Sequence, residues 1–351
     1  KFIYWTLKEI EEQKDSSLRA LGMGGRIKNN KIKLGGLEDK RKELNEIDNI
    51  IFLGCGTSYN AGHFVSYYFK NSRLFNTVQV IDGADFSSYD IPKKGKTCCI
   101  FISQSGETLD LIRCLDMCKK NNVLTLGVIN VVDSTIARET DCGCYVNSGR
   151  EVGVASTKSF TSQVIVLLLI YLWFSNDITI IQTLQTLHND FETILNNSRE
   201  TIKEWIPLLT NKNSIFILGK DECYSISREA SLKIKEISYI HAESSPASSL
   251  KHGPFGLLEK DFPVILIDIG DKNRHKMINV YNEVKCRGAN VFTITDNINL
   301  KRDNTFIINT KSELKNLLSI IPLQFLSFYL SINKKINPDF PRNLAKVVTV
   351  E

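Results

Sequence analysis

The feature that most constrains the fold of this chain is an internal repeat. Three short apolar segments of the first half recur in the second half, each displaced by roughly 165 residues. The pairs are Ile50–Gly54 with Ser214–Gly219, the segment ending at Ser103 with Pro263–Asp268, and Thr125–Asn130 with Asn290–Asp296. Three matches at nearly one displacement are hard to obtain by chance. The sequence therefore predicts a duplicated domain.

In each copy, apolar segments typical of buried strands alternate with stretches whose apolar residues recur at helical spacing. This alternation predicts α/β domains, each a parallel sheet with helices on both faces. We expect two tandem domains and a docked C-terminal tail. The predicted divisions are an N-terminal segment packed on the outside (1–40), a first domain (41–205), a second domain (206–335) and the tail (336–351).

Two helix predictions are specific enough to be tested. The first is a single helix from Trp5 to Ala20. The second is a long helical stretch from about Ile180 to Trp205, interrupted near Asn197–Ser198 and closed by Pro207, because proline disrupts a helix interior.

Composition excludes several classes of function. The net charge of +5 is mild and the basic residues are scattered, so we expect no nucleic-acid partner. The most apolar run, Val164–Phe174, is too short to span a bilayer and predicts a buried helix. Nine cysteines show neither metal-ligand spacing nor a disulfide framework. We expect a reduced, cytoplasmic protein without membrane contact, metal or cofactor. The chain begins with Lys1 rather than Met, which suggests a segment of a longer polypeptide.

The loop Ser103–Thr108 is the first candidate site. It follows a predicted strand and precedes a predicted helix, so its hydroxyls and backbone N–H groups collect at a helix N-terminus, where anions bind. The loop contains no Lys or Arg, so neutral donors would hold a phosphate there. An ordinary capped helix start fits the same residues, and the loop alone does not separate the two interpretations.

The second copy lacks this loop and instead carries ionisable residues. Glu229, Lys233 and Glu236 share one face of a predicted helix, as catalytic groups or as a solvated ion-paired face. His252 lies on a Gly-Pro turn and is an acid/base candidate, although such a histidine is often incidental.

Lys346 is the candidate nucleophile. Terminal tails usually fray, but this one follows two prolines and contains the apolar run Val347–Val350, so we expect it to dock. A docked lysine near an apolar wall has reason to lose its proton and react as an amine.

Together these segments resemble the isomerase half of the glucosamine-6-phosphate synthase family, which is built from two sugar isomerase (SIS) domains. The resemblance covers nearly the whole chain. The segments that carry it are Gly54–Ser58, Ser103–Thr108, Glu151–Phe160, Leu232–Glu243, Leu250–Pro254 and Pro341–Glu351.

The resemblance implies a sugar-phosphate site and assigns a role to each candidate residue. Ser103, Gln104, Ser105 and Thr108 would hold the phosphate of fructose 6-phosphate, and Thr57, Ser58, Val154 and Ser156 would hold or flank the sugar. Lys346 would form an imine with the C2 ketone, Glu236 would carry a proton between C1 and C2, Lys233 would support Glu236, and His252 would help to open the sugar ring.

The resemblance also implies partners. His252 would reach the site from a neighbouring subunit, which implies a homodimer. The glutaminase domain of the family is missing from the sequence, so we expect the chain alone to interconvert fructose 6-phosphate and glucose 6-phosphate. It would make glucosamine 6-phosphate only with that domain or with free ammonia.

Two points stay open at this stage. The chain has Ser244–Ser249 where the family usually has Ala-Gly-Glu, which puts the position of His252 in doubt. The alternative functions are a non-catalytic SIS sensor of sugar phosphates and a different SIS enzyme. Neither needs Glu236 together with the Lys346 tail, which favours the synthase-type isomerase.

Overall fold

The computed structural model of the chain describes residues 2–347. In that range the strands are β1 Ile27–Lys28, β2 Lys31–Ile32, β3 Asn49–Gly54, β4 Thr77–Asp82, β5 Thr97–Ser103, β6 Leu124–Ile129, β7 Cys142–Tyr145, β8 Ser214–Gly219, β9 His241–Pro246, β10 Pro263–Asp268, β11 Asn290–Thr295 and β12 Thr305–Ile307.

The α-helices of the same range are α1 Trp5–Glu11, α2 Gln13–Ala20, α3 Arg41–Asn45, α4 Thr57–Ser72, α5 Leu109–Lys120, α6 Thr135–Glu139, α7 Lys158–Ser175, α8 Ile178–Thr201, α9 Ile206–Leu209, α10 Glu222–Ser238, α11 Arg274–Lys285, α12 Lys315–Leu318 and α13 Ile320–Asn333. Short 3₁₀ turns connect several of these elements.

Ten of the strands form two five-stranded sheets with the same topology. The strand order is β4-β3-β5-β6-β7 in the first sheet and β9-β8-β10-β11-β12 in the second, and every pairing within them is parallel. Equivalent strands, such as β3 and β8 or β5 and β10, are separated by about 165 residues. The predicted duplication and α/β class are confirmed.

The central strands are buried because helices cover both faces of each sheet. All residues of β3, β5 and β10 are buried, as expected of a parallel sheet whose strands are continuous apolar runs. In the first sheet the apolar face of α5 packs on this core through Leu111 and Leu115. Each such side chain stabilises the fold by roughly 1.5–3 kcal/mol.

The chain divides into two compact units. The first unit contains the first sheet and consists of residues 15–151, 158–186 and 345–347; the second unit contains the second sheet and consists of residues 2–14, 152–157 and 187–344. The boundaries predicted from the sequence, 41–205 and 206–335, stay predictions.

Two helical stretches, Lys158–Ser175 and Lys315–Asn333, are long and apolar enough by composition to cross a membrane. Of their residues, 83% and 78% are buried inside the fold. Helices that are apolar on every side are typical of the buried core, and α7 has the burial that the run Val164–Phe174 predicts.

Several sequence predictions are wrong in detail. Glu12 separates α1 from α2, so Trp5–Ala20 is not one helix. In the N-terminal segment, Thr6, Glu9 and Ile10 of α1 are buried, and its expected place on the outside stays a prediction. Helix α8 is continuous through Asn197–Ser198. The Ser198 hydroxyl donates to Ile194 O at 2.7 Å, so its hydrogen bond is made within the helix. Pro207 lies in the first turn of α9, where its missing N–H costs nothing.

Candidate functional site

The strand order of the first sheet marks one place for a ligand. The chain continues from β3 to β4 on one side and then to β5 on the other, so the order reverses between β3 and β5. In open α/β sheets, ligands bind outside the carboxyl ends of the strands at this switch point. The loops Gly54–Ser58 and Ser103–Thr108 follow those two strand ends. The topology therefore selects the same two loops as the sequence motifs.

The loop Ser103–Thr108 is an ordered cradle of hydroxyl groups. The Gly106 N–H donates to Ser103 Oγ at 2.9 Å, the Glu107 N–H donates to Ser105 Oγ at 3.2 Å, and Ser103 Oγ lies 3.4 Å from Thr108 Oγ1. Because Ser103 and Ser105 accept backbone N–H groups, their own O–H groups are available to donate to an anion. Thr108 is the N-cap of α5, so the loop also ends at a helix N-terminus.

Gly106 fixes the conformation of this loop. Its φ of +68° belongs to the left-handed region, and a Cβ atom there would lie 2.0 Å from Ser134 Oγ. The neighbouring Glu107 carboxylate accepts the Thr135 N–H at 2.7 Å, and this hydrogen bond lowers the pKa of Glu107. The Glu107 side chain therefore binds the first residue of α6.

The Gly54–Ser58 turn supplies the second wall. A Cβ on Gly54 would lie 2.8 Å from the Ser58 backbone, so only glycine allows this turn into α4. Ser58 is buried and its Oγ accepts Gln163 Nε2 at 3.0 Å, whereas Thr57 is half-buried. Burial raises the pKa of the Cys55 thiol to about 12, so Cys55 is not a nucleophile at neutral pH.

Lys346 forms an ion pair with Glu151. Its Nζ lies 2.7 Å from Glu151 Oε2, and the Ser159 N–H donates to the other carboxylate oxygen at 3.1 Å. The Glu151 side chain is fully buried. One neighbour of Lys346 is therefore a carboxylate, and the apolar wall expected beside it stays a prediction. Val347 is exposed, and the rest of the predicted docking run, 348–350, lies outside the described residues.

Glu151 of the ion pair and Gln104 of the Ser103–Thr108 loop line one cavity within the first unit. A cavity of about 470 Å³ is lined by both Gln104 and Glu151. The other lining residues are Arg19, Asn130, Val131, Asn147, Gly149 and Arg150. A small ligand in this cavity would thus meet the cradle and the carboxylate that holds Lys346.

In the second unit, α10 carries a line of three charges. Lys233 Nζ lies 2.5 Å from Glu236 Oε2 and 3.5 Å from Glu229 Oε1. The exposed fractions of the side chains are 1% for Lys233, 0% for Glu229 and 21% for Glu236. Because Lys233 and Glu229 are buried, these residues do not form the solvated helix face that was one of the two interpretations of the sequence. A buried Glu229–Lys233 pair instead orients Glu236, the one member that solvent reaches.

The segment before Lys346 is fastened to the end of the same helix. Tyr239 terminates α10 with a φ of +57°, and its hydroxyl accepts the Arg342 N–H at 2.7 Å. The Arg342 guanidinium lies 4.3 Å from the centre of the Tyr239 ring, within the range of a cation–π contact. These two contacts fasten the segment before Lys346 to Tyr239, which follows Glu236 by three residues in the chain.

The positions of the remaining predicted residues are as follows. Val154 and Ser156 are half-buried in the Val152–Thr157 loop of the second unit. His252 is exposed at the end of the 3₁₀ turn Ala247–His252. Pro246, the inserted proline ahead of it, completes edge strand β9 opposite Gly219, an edge position that tolerates proline.

The second sheet has an equivalent switch point, but charges fill the loop after β10. Arg274 Nη1 lies 3.0 Å from Asp268 Oδ2, and Arg274 Nη2 lies 2.5 Å from Asp296 Oδ1. Arg274 also donates to Thr295 Oγ1 at 2.9 Å, and Lys315 Nζ lies 3.3 Å from Asp296 Oδ2. The carboxylates of the chain itself occupy this loop, which disfavours a phosphate there.

A family model described as the SIS domain matches residues 43–172 and 208–334. The two matches together cover more than half of the chain. The chain belongs to the SIS domain family. Each match contains one of the two five-stranded sheets, so the duplicated fold is a pair of SIS domains.

Among SIS proteins, the chain is similar to glutamine–fructose-6-phosphate aminotransferases. It is 45% identical to a probable isomerizing enzyme of this name from Acanthamoeba polyphaga mimivirus, over 87% of the chain and 52% of that protein. It is 38% identical to isomerizing form 1 from Rattus norvegicus, over 98% of the chain and 52% of that protein. The chain therefore spans about half the length of the curated relatives it matches.

A solved structure identifies the half that matches. The structure of the C-terminal domain of glucosamine-fructose-6-phosphate aminotransferase from Francisella tularensis superposes with a TM-score of 0.85 at 27% identity. The alignment covers 97% of this chain and 99% of that one. The resemblance to the isomerase half of the synthase family is confirmed.

Sequence reasoning missed several contributors to this SIS site. Glu151 begins a segment that the motif analysis singled out, but nothing in the sequence showed that it pairs with Lys346. Gln163 looked like one polar residue in an apolar helix, which is itself a signal for a buried partner. All nine cysteines are reduced, and residues 2–347 contain no cluster of three His, Cys, Asp or Glu side chains suited to a metal.

Proposed function

We propose that the chain is the sugar-phosphate isomerase part of a glutamine–fructose-6-phosphate aminotransferase. The main support for this proposal is the ion pair between Lys346 and Glu151. Glu151 lines a cavity that is also lined by Gln104 of the Ser103–Thr108 loop. A loop of neutral donors and a lysine held by a carboxylate of the same cavity suit a phosphorylated ketose that reacts as an imine. The names of the similar proteins supply the substrate class.

Binding begins at the cradle. Ser103, Gln104, Ser105 and Thr108 hold the phosphate of fructose 6-phosphate through hydroxyl, amide and backbone donors. Neutral donors at a helix N-terminus bind a dianion without burying a compensating cation. Thr57, Ser58, Val154 and Ser156 hold or flank the sugar.

The Glu151–Lys346 pair prepares the nucleophile. Imine formation requires a neutral amine, so the Lys346 ammonium transfers a proton to Glu151 as the C2 ketone arrives. The amine attacks C2, the carbonyl oxygen leaves as water, and the resulting imine draws electrons from C1. The 2.7 Å separation allows this transfer without movement of the backbone.

Glu236 then moves the proton that converts a ketose to an aldose. The Lys346 amine first leaves C2 in exchange for ammonia, or for water when ammonia is absent. The Glu236 carboxylate then accepts a proton from C1 and returns it to C2, and Lys233 beside it stabilises the charged form. General base catalysis of this kind contributes about 10²–10⁴-fold to the rate. His252 assists ring opening beforehand and, as in the family, comes from the neighbouring subunit of a homodimer. Its exposure supports that assignment.

Nitrogen comes from outside this chain. With a glutaminase domain or free ammonia, the product is glucosamine 6-phosphate; without either, the chain interconverts fructose 6-phosphate and glucose 6-phosphate. The enzyme acts in the cytoplasm, requires no cofactor and has neither nucleic acid nor membrane as a partner.

Borohydride trapping tests this proposal. Incubation with fructose 6-phosphate followed by reduction should add one sugar phosphate at Lys346, and peptide mapping should locate it there. Lys346→Ala should show no adduct and lose at least about 10³-fold in isomerisation rate, because no other amine replaces it.

Glu236→Gln is the matched variant for the later step. It should still form the Lys346 adduct but should isomerise at least about 10²-fold more slowly. Tight binding of the sugar phosphate by the wild-type chain without an adduct or turnover would overturn the proposal in favour of a non-catalytic sensor.

A further inference from the structure

We propose that helix α1 positions the Val152–Thr157 loop for the sugar, with Glu9 as the principal positioning residue. The assignment of a sugar-binding role to this loop rests on the proposed function. The support of the loop by α1 is carried by contacts within the second unit.

Glu9 holds the start of the loop through both carboxylate oxygens. The Val152 N–H donates to Glu9 Oε1 at 2.5 Å, and the Gly153 N–H donates to Glu9 Oε2 at 3.2 Å. Glu9 is buried, so these hydrogen bonds are shielded from water. A buried carboxylate stabilises a loop far more than an exposed one, because leaving either partner unpaired is costly.

The loop and α1 approach too closely for any side chain between them. A Cβ atom on Gly153 would lie 2.9 Å from Glu9 Oε2 and 3.1 Å from Thr6 Oγ1. Glycine is thus required at this position by the proximity of α1, even though its φ is not in the left-handed region. Sequence analysis gave no reason for this glycine.

Asp339 connects α1, the loop and the tail. Its carboxylate accepts the Trp5 N–H at 2.9 Å, the Thr6 N–H at 2.8 Å and Thr6 Oγ1 at 2.7 Å, which caps the first turn of α1. Its backbone carbonyl accepts the Val154 N–H at 3.1 Å. Asp339 precedes Lys346 by seven residues, so one residue fixes the helix, the loop and the segment that leads to the nucleophile.

The far end of the loop is held from another helix. Gln13 Nε2 donates to Gln324 Oε1 at 2.7 Å, and Gln324 Nε2 donates to Thr157 O at 3.3 Å. Both glutamines are buried. The loop is therefore fixed through its backbone at Val152, Gly153, Val154 and Thr157.

This support determines which side chains the loop presents. Burial alternates along it, so that Gly153, Ala155 and Thr157 are buried while Val152, Val154 and Ser156 are half-buried. Val154 and Ser156 are the two residues that the resemblance assigns to the sugar. With its backbone held by α1, Asp339 and Gln324, the loop keeps these two side chains at fixed positions.

The test compares two isosteric changes on one helix. Glu9→Gln converts one accepting oxygen into an NH₂ group that faces a backbone N–H. Glu11→Gln is the control, because Glu11 pairs with Arg199 at 2.5 Å and has no hydrogen bond to the loop. Both variants are assayed for isomerisation of fructose 6-phosphate and for amide hydrogen exchange of the Val152–Thr157 peptide.

We expect Glu9→Gln to raise KM for fructose 6-phosphate about tenfold or more, with a smaller change in kcat, because the loop contacts the sugar without reacting. Amide exchange at Val152 and Gly153 should accelerate about tenfold or more, and Glu11→Gln should change neither quantity more than about twofold. Gly153→Ala should reproduce the KM increase with Glu9 intact.

Three outcomes are decisive. Equal effects of the Glu9 and Glu11 variants would show general destabilisation and overturn the positioning role. An active Glu9→Gln enzyme with unchanged KM would overturn it as well, while leaving the proposed function intact. A wild-type chain that neither binds nor isomerises the sugar phosphate would instead overturn the proposed function and the sugar role of the loop with it.

Discussion

The two sheets have the same strand order, but the loops at their equivalent switch points contain different chemistry. In the first sheet, the loop after β5 offers the hydroxyls of Ser103, Ser105 and Thr108 and no cation. In the second sheet, the loop after β10 contains Asp268 and Arg274, closed by Asp296 from the end of β11. One loop thus offers neutral hydroxyl groups, whereas the charged groups of the other are paired with one another.

This difference favours the first loop over the second as a place for an anion. A binding loop must leave some hydrogen-bonding capacity unused by the protein, and the protein tolerates this only where the groups are neutral. Charged groups in the same place would have to be paired, as in the second sheet, because an unpaired buried charge is too costly. Both loops therefore avoid an unpaired buried charge: the loop after β5 contains neutral donors, and the loop after β10 pairs its charges.

The largest effect is expected from placing a carboxylate, like those in the loop after β10, in the loop after β5. Ser105→Asp would place a carboxylate in the cradle, and its repulsion of the phosphate should weaken binding of fructose 6-phosphate by at least about 10³-fold. Ser105→Ala, which removes one donor without adding charge, should weaken it by only about tenfold. Calorimetric titration measures both. Equal affinities of the two variants would mean that the phosphate binds elsewhere.

An effect on stability rather than binding is expected in the second loop. Arg274→Met would leave Asp268 and Asp296 without their main cation and should lower the free energy of unfolding by about 3–5 kcal/mol. Lys315→Met is the control, because Lys315 is a more exposed partner of Asp296 and its loss should cost less than about 1 kcal/mol. Urea denaturation measures both. Weakened binding of fructose 6-phosphate by Arg274→Met would contradict the assignment of a purely internal role.

The smallest effect is a pH dependence of the same network. Burial alone would raise the pKa of Asp296, but hydrogen bonds from Arg274 and from the Gly270 N–H outweigh it and hold the pKa below its ordinary value. A carboxylate with a lowered pKa contributes stability above the ordinary pKa of aspartate, and this contribution is lost as pH falls through the folded-state pKa. The difference in stability between wild type and Asp296→Asn should therefore shrink from pH 7 to about pH 3. A difference that widens on acidification would reverse the sign argued here.

Much of the fold followed from the sequence because its signals are local. The apolar runs of β3, β5 and β6 and their repetition after Asn213 required no tertiary information. Strand β9 was missed because it ends in Ser244–Pro246, which has turn composition; its strand conformation depends on pairing with β8. The break expected near Asn197–Ser198 was wrong for a related reason, since the Ser198 side chain bonds back to its own helix.

For the candidate site too, the sequence indicated some residues and not others. The hydroxyl loop, the charges of α10 and Lys346 were visible as residue types at suggestive positions. Their partners were not visible, because each partner is remote in sequence: Glu151 precedes Lys346 by 195 residues, and Asp339 follows Thr6 by 333. Local patterns indicate which residues can react or bind, whereas the residues that orient them are selected only when the chain has folded.

The capping of α1 by Asp339 has a consequence for synthesis on the ribosome. Helix α1 is translated before both sheets, whereas the carboxylate that satisfies its opening N–H groups follows Thr6 by 333 residues. Contacts of such long sequence separation form late, since most of the intervening chain must already be ordered. A nascent chain can thus complete both sheets before α1 is capped, and the segment that leads to Lys346 is anchored on α1 only after Asp339 has been translated. Anchorage of the segment that leads to Lys346 consequently follows the formation of both sheets.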